Sequence, residues 1–210
     1  MPAIVGILIS YLAGSIPSAY LAGKARGVDL RAHGSGNLGA TNVARVLGTK
    51  TGVLVFVADL LKGFLPVWIL PRYVETLNPE LWAVLFGAAA ILGHVKPIFL
   101  RGRGGGGGGG GGKGVATASG VFLALAFVPL LIAQAVWGAV FYFTRYVSLA
   151  SLISAAILPI AILTWWRDPV SPVFIASTII AVFVFWTHRA NIGRLRRGEE
   201  HRFVKKANRV

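Results

Sequence analysis

Between Gly34 and Gly48 the chain reads GSGNLGATNVARVLG, a hydrophilic segment that gathers Ser35, Asn37, Thr41, Asn42 and Arg45 without one carboxylate. Those residue types suit a phosphate. Glycines let backbone N–H groups approach an anion, hydroxyls and amides add donors, and arginine supplies a planar charged fork. Two further stretches repeat the chemistry. In GKGVATASG, Gly112–Gly120, Lys113 precedes Gly114 at the start of an apolar run. A lysine beside the free N–H groups of a helix start makes an anion site. In HRANIGRLRRGEE, His188–Glu200, the residues His188, Asn191 and Arg194 recur at three-residue spacing. A helix continuing past the preceding apolar block would put them on one face. A Gly/Asn-rich turn would look like the first segment taken alone; it does not account for three such clusters in one chain.

Other chemistries fall away. A Walker A loop needs Ser or Thr directly after its lysine to hold Mg²⁺, and position 114 is glycine. The absence of cysteine removes disulfides, thiolate catalysis and cysteine metal sites, and no cluster with metal-ligand spacing is visible. Uninterrupted glycines from Gly104 to Gly112 exceed what any phosphate loop needs and read as an expanded flexible linker. Asp59 and Lys62 lie inside an apolar block at a spacing that permits an ion pair, with a structural or a catalytic role equally open. His94, near the end of the next block, is ambiguous in the same way.

The elements that must position these clusters are membrane helices. Of 210 residues 55% are hydrophobic and only 13% charged, with mean hydropathy +0.70. A soluble domain carries about a quarter charged residues. The apolar residues come in blocks, about 3–23, 52–71, 80–99, 115–147, 148–166 and 170–187. A span takes about 20 residues, so 115–147 is too long for one helix, and Pro129 predicts a split into two. The expectation is an all-α polytopic membrane protein of one domain, residues 1–210, with seven transmembrane helices. The first block lacks the basic flank of a signal peptide and is expected to remain as a span.

Charge orients it. The net charge is +14, and the basic residues sit between the apolar blocks, where the positive-inside rule and anionic lipid heads account for them without nucleic acid. With the N-terminus outside and the C-terminus cytoplasmic, eighteen basic residues lie inside and only Arg72 and Arg167 outside. Six spans would spoil that asymmetry. All three polar clusters then face the cytoplasm.

Taken together, GSIP at 14–17, GSGNLGATNVARVLG at 34–48, DLLKG at 59–63, GHVKPIF at 93–99, GGKGVAT at 111–117, SLAS at 148–151 and HRANIGRLRRGEE at 188–200 resemble the bacterial acyl-phosphate:glycerol-3-phosphate acyltransferase family. The resemblance runs from near the N-terminus to the tail. It implies transfer of a fatty acyl group from acyl phosphate to glycerol 3-phosphate, giving lysophosphatidate, by a seven-span protein of the bacterial inner membrane with its site on the cytoplasmic side. The chain departs from the family pattern in its glycine tract, where nine glycines rather than two separate Arg103 from Lys113. An expansion of this active-site loop is expected to impair transfer.

The residues fit such a reaction. An acyl phosphate is an activated mixed anhydride, so direct attack by the 1-hydroxyl suffices without a covalent enzyme intermediate or a cofactor. No histidine begins an H-x4-D arrangement: the positions five after each are Leu38, Phe99, Gly193 and Lys206. What remains is to hold two anions together and shield their repulsion. Ser35, Arg45, Lys113, His188 and Asn191 are expected around glycerol phosphate. The backbone of Gly111, Gly112 and Gly114, with Thr41 and Asn42, would hold the acyl phosphate, and Asn37, Thr117 and Arg194 complete the substrate-binding set. Either His188 or the donor phosphate could take the proton. Two rivals differ in class. A transporter of a phosphorylated metabolite would place its clusters near the bilayer midplane and carry repeated halves, which this chain lacks. A scaffold binding anionic membrane lipids explains the charge but not the Ser, Asn and Thr among the glycines.

Overall fold

The computed structural model describes residues 1–100 and 110–203. The expected glycine expansion falls largely on 104–109, outside the described residues. Among those residues all regular structure is helical. The helices form two compact units, Met1–Phe127 and Val128–Val210.

In the first unit, α1 (Ala3–Ser15) and α2 (Ser18–Lys24) share the first apolar block. Pro17, which has no N–H to donate, separates them. A short helix, α3 (Ala40–Leu47), follows the first polar loop and leads into α4 (Thr49–Ile69), α5 (Pro79–Val95) and α6 (Val115–Leu125). The pattern on α1 is that of a lipid-facing helix. Ile4, Leu8 and Leu12 are exposed on one face, while Gly6, Ser10 and Gly14 are buried on the other. Small residues inward and large apolar residues outward suit a bilayer, where close backbone contact rather than water exclusion joins helices.

Two helix pairs use that device. On α1 and α5, a Cβ at Gly14 would overlap the Ala90 backbone and one at Gly93 would overlap the Tyr11 carbonyl. On α4 and α6, a Cβ at Gly63 would overlap the Thr117 carbonyl and one at Gly120 the Leu60 carbonyl. Each pair is thus locked from both sides by a glycine facing the partner's backbone.

The second unit holds nearly all of α7 (Phe127–Thr144), then α8 (Val147–Trp166), α9 (Pro172–Thr187) and α10 (Arg189–Arg196). Hydrogen bonds from Trp137 Nε1 to Ser151 Oγ (3.2 Å) and from Ser154 Oγ to the Ala133 carbonyl (2.9 Å) tie α7 to α8. Polar side chains cross-link helices here because no water competes for them.

Among the described residues, five segments are long and apolar enough to cross a membrane: Ala3–Lys24, Thr49–Tyr73, Pro79–Leu100, Phe127–Thr144 and Val147–Trp166. A sixth forms if Pro172–Thr187 and Arg189–Arg196, bent by 59°, count as one. The 115–147 run does split, but at Ala126, ahead of Pro129. Pro129 sits in the first turn of α7, where an N–H has no intrahelical acceptor to lose, so the proline is accommodated by starting a helix. The resulting α6 has 11 residues. At 1.5 Å per residue it reaches about 16 Å, roughly half of the hydrocarbon core.

Candidate active site

The first cluster is built around Asn42, which is 1% exposed. Its Oδ1 accepts from the Ser35 N–H at 2.8 Å, and its Nδ2 donates to the carbonyls of Leu30 and His33, both at 3.1 Å. The amide therefore pins the 30–35 loop to α3. Gly34, at φ +63°, lies against that amide, and a Cβ there would overlap Asn42 Oδ1. With the loop held by its backbone, Ser35 stays exposed and Asn37, Thr41 and Arg45 half-buried. Arg45 occupies the last turn of α3, and Val43, on the opposite side of the helix from Thr41 and Arg45, is completely buried. Asp29 props the same loop from outside: it accepts from the Arg31 backbone N–H (3.0 Å) and Nε (2.9 Å). Those hydrogen bonds to Arg31 hold its carboxyl below the usual range.

The second cluster sits between the end of α5 and the start of α6. Gly111 lies on the end of α5, since a Cβ would overlap the His94 and Val95 carbonyls, and Gly112 is buried. Gly114 adopts φ 84°, ψ −5° and caps α6. This left-handed residue turns the chain so that Lys113 emerges from the loop as the helix begins, leaving first-turn N–H groups without intrahelical carbonyls. Thr117 is buried in that first turn, and its hydroxyl has no hydrogen-bond partner among the described residues.

In the second unit the expected continuous helix is broken. The chain bends by 59° between α9 and α10, and His188 stands at the bend with φ −96°, ψ 7°. Its ring Nδ1 lies 2.8 Å from the Val184 carbonyl. A carbonyl only accepts, so Nδ1 carries the proton and, in the neutral ring, Nε2 keeps its lone pair. Asn191 and Arg194 remain one turn apart on α10, and they meet on a residue the sequence reading did not single out. Glu200 returns after the helix to accept from Asn191 Nδ2 (2.6 Å), Ser148 Oγ (2.9 Å) and Arg194 Nε (2.7 Å). Burial pushes its carboxyl up, but hydrogen bonds from Asn191, Ser148 and Arg194, with the Arg194 charge, outweigh it and hold the group below the usual range. The signal was there: Glu199 and Glu200 are the only acids in a tail of basic residues.

The intramembrane charges also resolve. Asp59 (2% exposed) pairs with Lys62 at 2.8 Å and accepts from Ser18 Oγ at 2.9 Å. Lys62 Nζ further donates to the Ile16 carbonyl at 2.9 Å, at the break between α1 and α2. His94 Nδ1 stands 3.7 Å from Asp59.

Within the first unit the structure thus gathers Ser35, Asn37, Thr41, Asn42 and Arg45 on one loop and helix, and Lys113, Gly114 and Thr117 at one helix start. The second unit gathers His188, Asn191 and Arg194 at the bend and on the helix beyond it.

The family model for glycerol-3-phosphate acyltransferase matches residues 4–198. Curated proteins named glycerol-3-phosphate acyltransferase are similar over nearly their whole length. The one from Fusobacterium nucleatum is 46% identical over 94% of this chain and 96% of its own. The one from Aquifex aeolicus is 45% identical over 97% of this chain and 100% of its own. Crystal structures of PlsY (YgiH), an integral membrane glycerol 3-phosphate acyltransferase, resemble the fold. The glycerol 3-phosphate form has a TM-score of 0.86 at 40% identity, and the lysophosphatidic acid form 0.84 at 38%. Each comparison covers 97% of this chain and 96% of the other. On sequence and fold alike, this chain belongs to the glycerol-3-phosphate acyltransferase family.

Proposed function

We propose that this chain transfers a fatty acyl group from acyl phosphate to the 1-hydroxyl of glycerol 3-phosphate at the cytoplasmic face of a bacterial inner membrane. The chain is a glycerol-3-phosphate acyltransferase of phospholipid synthesis and a multi-pass membrane protein. The observation that carries the finer reading is the family match itself: it runs across both compact units and takes in the first two polar clusters and the third as far as Gly198. The two units are accordingly read as one enzyme, residues 1–210.

The hydroxyl oxygen attacks the acyl carbonyl carbon, a new ester C–O bond forms, and the bond to phosphate breaks with its electron pair leaving on the phosphate. His188 Nε2 takes the hydroxyl proton, a role its Nδ1–Val184 hydrogen bond supports. Ser35, Arg45, Lys113 and Asn191 bind glycerol phosphate. The backbone of Gly111, Gly112 and Gly114, with Thr41 and Thr117, receives the acyl phosphate. Asn42 serves by shaping the loop, and Asn37 and Arg194 complete the substrate contacts. Two anions repel at short range, and most of the catalytic effect lies in neutralising and aligning them.

For topology we infer seven crossings with the N-terminus outside and the C-terminus cytoplasmic. The eighteen-to-two division of basic residues supports this, and it requires the short α6 as a crossing.

The test is direct. Purified protein in lipid is given acyl phosphate and labelled glycerol 3-phosphate. Labelled lysophosphatidate supports the reading. Equal turnover with an acyl thioester would remove the donor assignment. Uptake of label into vesicles without acylation would instead make the chain a transporter.

A further inference from the structure

The buried charges of the first unit lie beside the Lys113 loop, and the family reading leaves them without a task. Asp59, Lys62 and His94 have side chains 2%, 7% and 4% exposed. Ionisable groups at membrane depth are costly and persist where they are paired and useful. An ion pair alone would explain Asp59 and Lys62. It does not explain the histidine, whose Nδ1 faces Asp59 at 3.7 Å while its other edge faces the glycine loop. A Cβ at Gly112 would overlap His94 Nε2 and come within 3.1 Å of the Leu38 carbonyl. Leu38 belongs to the first polar cluster. Gly112 is thus wedged between the imidazole on one side and that cluster's backbone on the other, with Gly111 resting on the end of α5.

We propose that His94 is a positioning residue for acyl transfer: packed between Asp59 and the glycine loop, its ring is the stop against which Gly112 seats, and that seat sets where Lys113 begins. The proposal rests on the reading of Lys113 as a substrate-binding charge. The chain of contacts is short. The Ile16 carbonyl and Asp59 hold Lys62, Ser18 and Lys62 hold Asp59, Asp59 faces the ring, and the ring bounds the loop. Only glycine fits at the point of contact, so any displacement of the ring is passed to the backbone one residue before Lys113.

Two double-variant cycles on the purified full chain test this, read as kcat and KM for each substrate alongside thermal stability. His94→Gln keeps a polar side chain but not the ring, and is expected to lower kcat by about tenfold or more, since a displacement near 1 Å can cost about 10²-fold. Added to Lys113→Ala, the same change should lower kcat by less than about twofold. Gly112→Ala should be poorly active, and His94→Ala in that background should restore activity, because removing the ring makes room for the methyl. A loss from His94→Gln that repeats in full in the Lys113→Ala background overturns the proposal, as does His94→Gln at wild-type turnover or Gly112→Ala made worse by His94→Ala. Wild-type turnover of Lys113→Ala alone is a different failure. It removes the lysine from the reaction, and with it this proposal's purpose, while the Gly112 cycle still decides whether the ring seats the loop.

Discussion

Removing Glu200 should loosen the tail of the second unit and impair catalysis together. Its side chain is 4% exposed and accepts three hydrogen bonds, from Asn191, Ser148 and Arg194. A hydrogen bond to a charged group is worth about 1.5–3 kcal/mol, and stripping one partner from a buried charge pair costs about 3–5 kcal/mol. Arg194 is 29% exposed and can rehydrate, which places Glu200→Ala near the lower bound, about 3 kcal/mol. Glu200→Gln keeps an acceptor for Asn191 and Ser148 but turns an NH2 donor toward Arg194, for about 1–2 kcal/mol. Because Asn191 loses its anchor, kcat/KM should fall in both variants, more in alanine. The pH dependence has a definite sign. Glu200 is held below its unfolded value, so its contribution is complete above the unfolded carboxyl range, about pH 4.5, and is lost as pH falls through the folded value. Thermal unfolding in detergent from pH 7 to pH 3 should show wild type losing stability below about pH 4.5 and Glu200→Gln losing less over the same interval. Glu200→Ala melting with wild type at pH 7, with normal turnover, would refute the idea that this carboxylate holds α10.

Further outcomes follow from the same geometry. Arg45→Ala should raise the KM for glycerol 3-phosphate and lower kcat/KM by roughly 10- to 100-fold, with Arg45→Lys recovering part, since lysine lacks the planar fork; wild-type kinetics would make the first cluster a turn only. Asp59→Asn should destabilise by about 3–5 kcal/mol, whereas Asp59→Asn combined with Lys62→Met should cost less than Asp59→Asn alone; additive losses in thermal unfolding would count against the pair. Gly120→Val should abolish folding or nearly so, because its Cβ would enter the Leu60 carbonyl; a well-folded variant by size-exclusion chromatography would contradict the close α4–α6 approach. Cysteines placed at Ala32 and His201, in a chain that has none of its own, should both resist an impermeant thiol reagent in intact cells, and labelling of either would overturn the inferred orientation.

Much of this was legible in the residues because it depends on short-range spacing. Asp59 and Lys62 at i,i+3 permitted the ion pair that forms, with their role left open, and the apolar blocks announced the helices within a few residues. The split in the long block was foreseen for the right reason but at the wrong place. A proline is tolerated in the first turn of a helix, so the break falls three residues before Pro129 rather than at it. The continuous helix after α9 was expected from apolar length and three-residue spacing, which do not register a histidine that turns its ring back onto the preceding turn. Glu200 stood out as an acid among basic residues, but its partners did not: Asn191 and Arg194 are reached by a chain reversal after α10 and Ser148 lies 52 residues away, so none of the pairings follows a helical period. The role of His94 was ambiguous for the same reason. What faces its ring depends on where a glycine loop comes to rest, not on the neighbours in its own helix.

The bend at His188 has a consequence for how the enzyme can fit its membrane. One hydrogen bond, Nδ1 to the Val184 carbonyl, ties the ring to the last turn of α9 and places the proton on that ring nitrogen. Lengthening or shortening α9 from that side by one residue would rotate the imidazole by about 100° about the helix axis, as the α-helical repeat requires. The His188 end of α9 is therefore not free to follow bilayer thickness. Adjustment must come from tilt, or from the opposite end, where Ser171 caps the helix and Pro172 opens it. Thickness changes between membranes would then be absorbed at the Ser171 end of the helix, leaving the His188 ring in register.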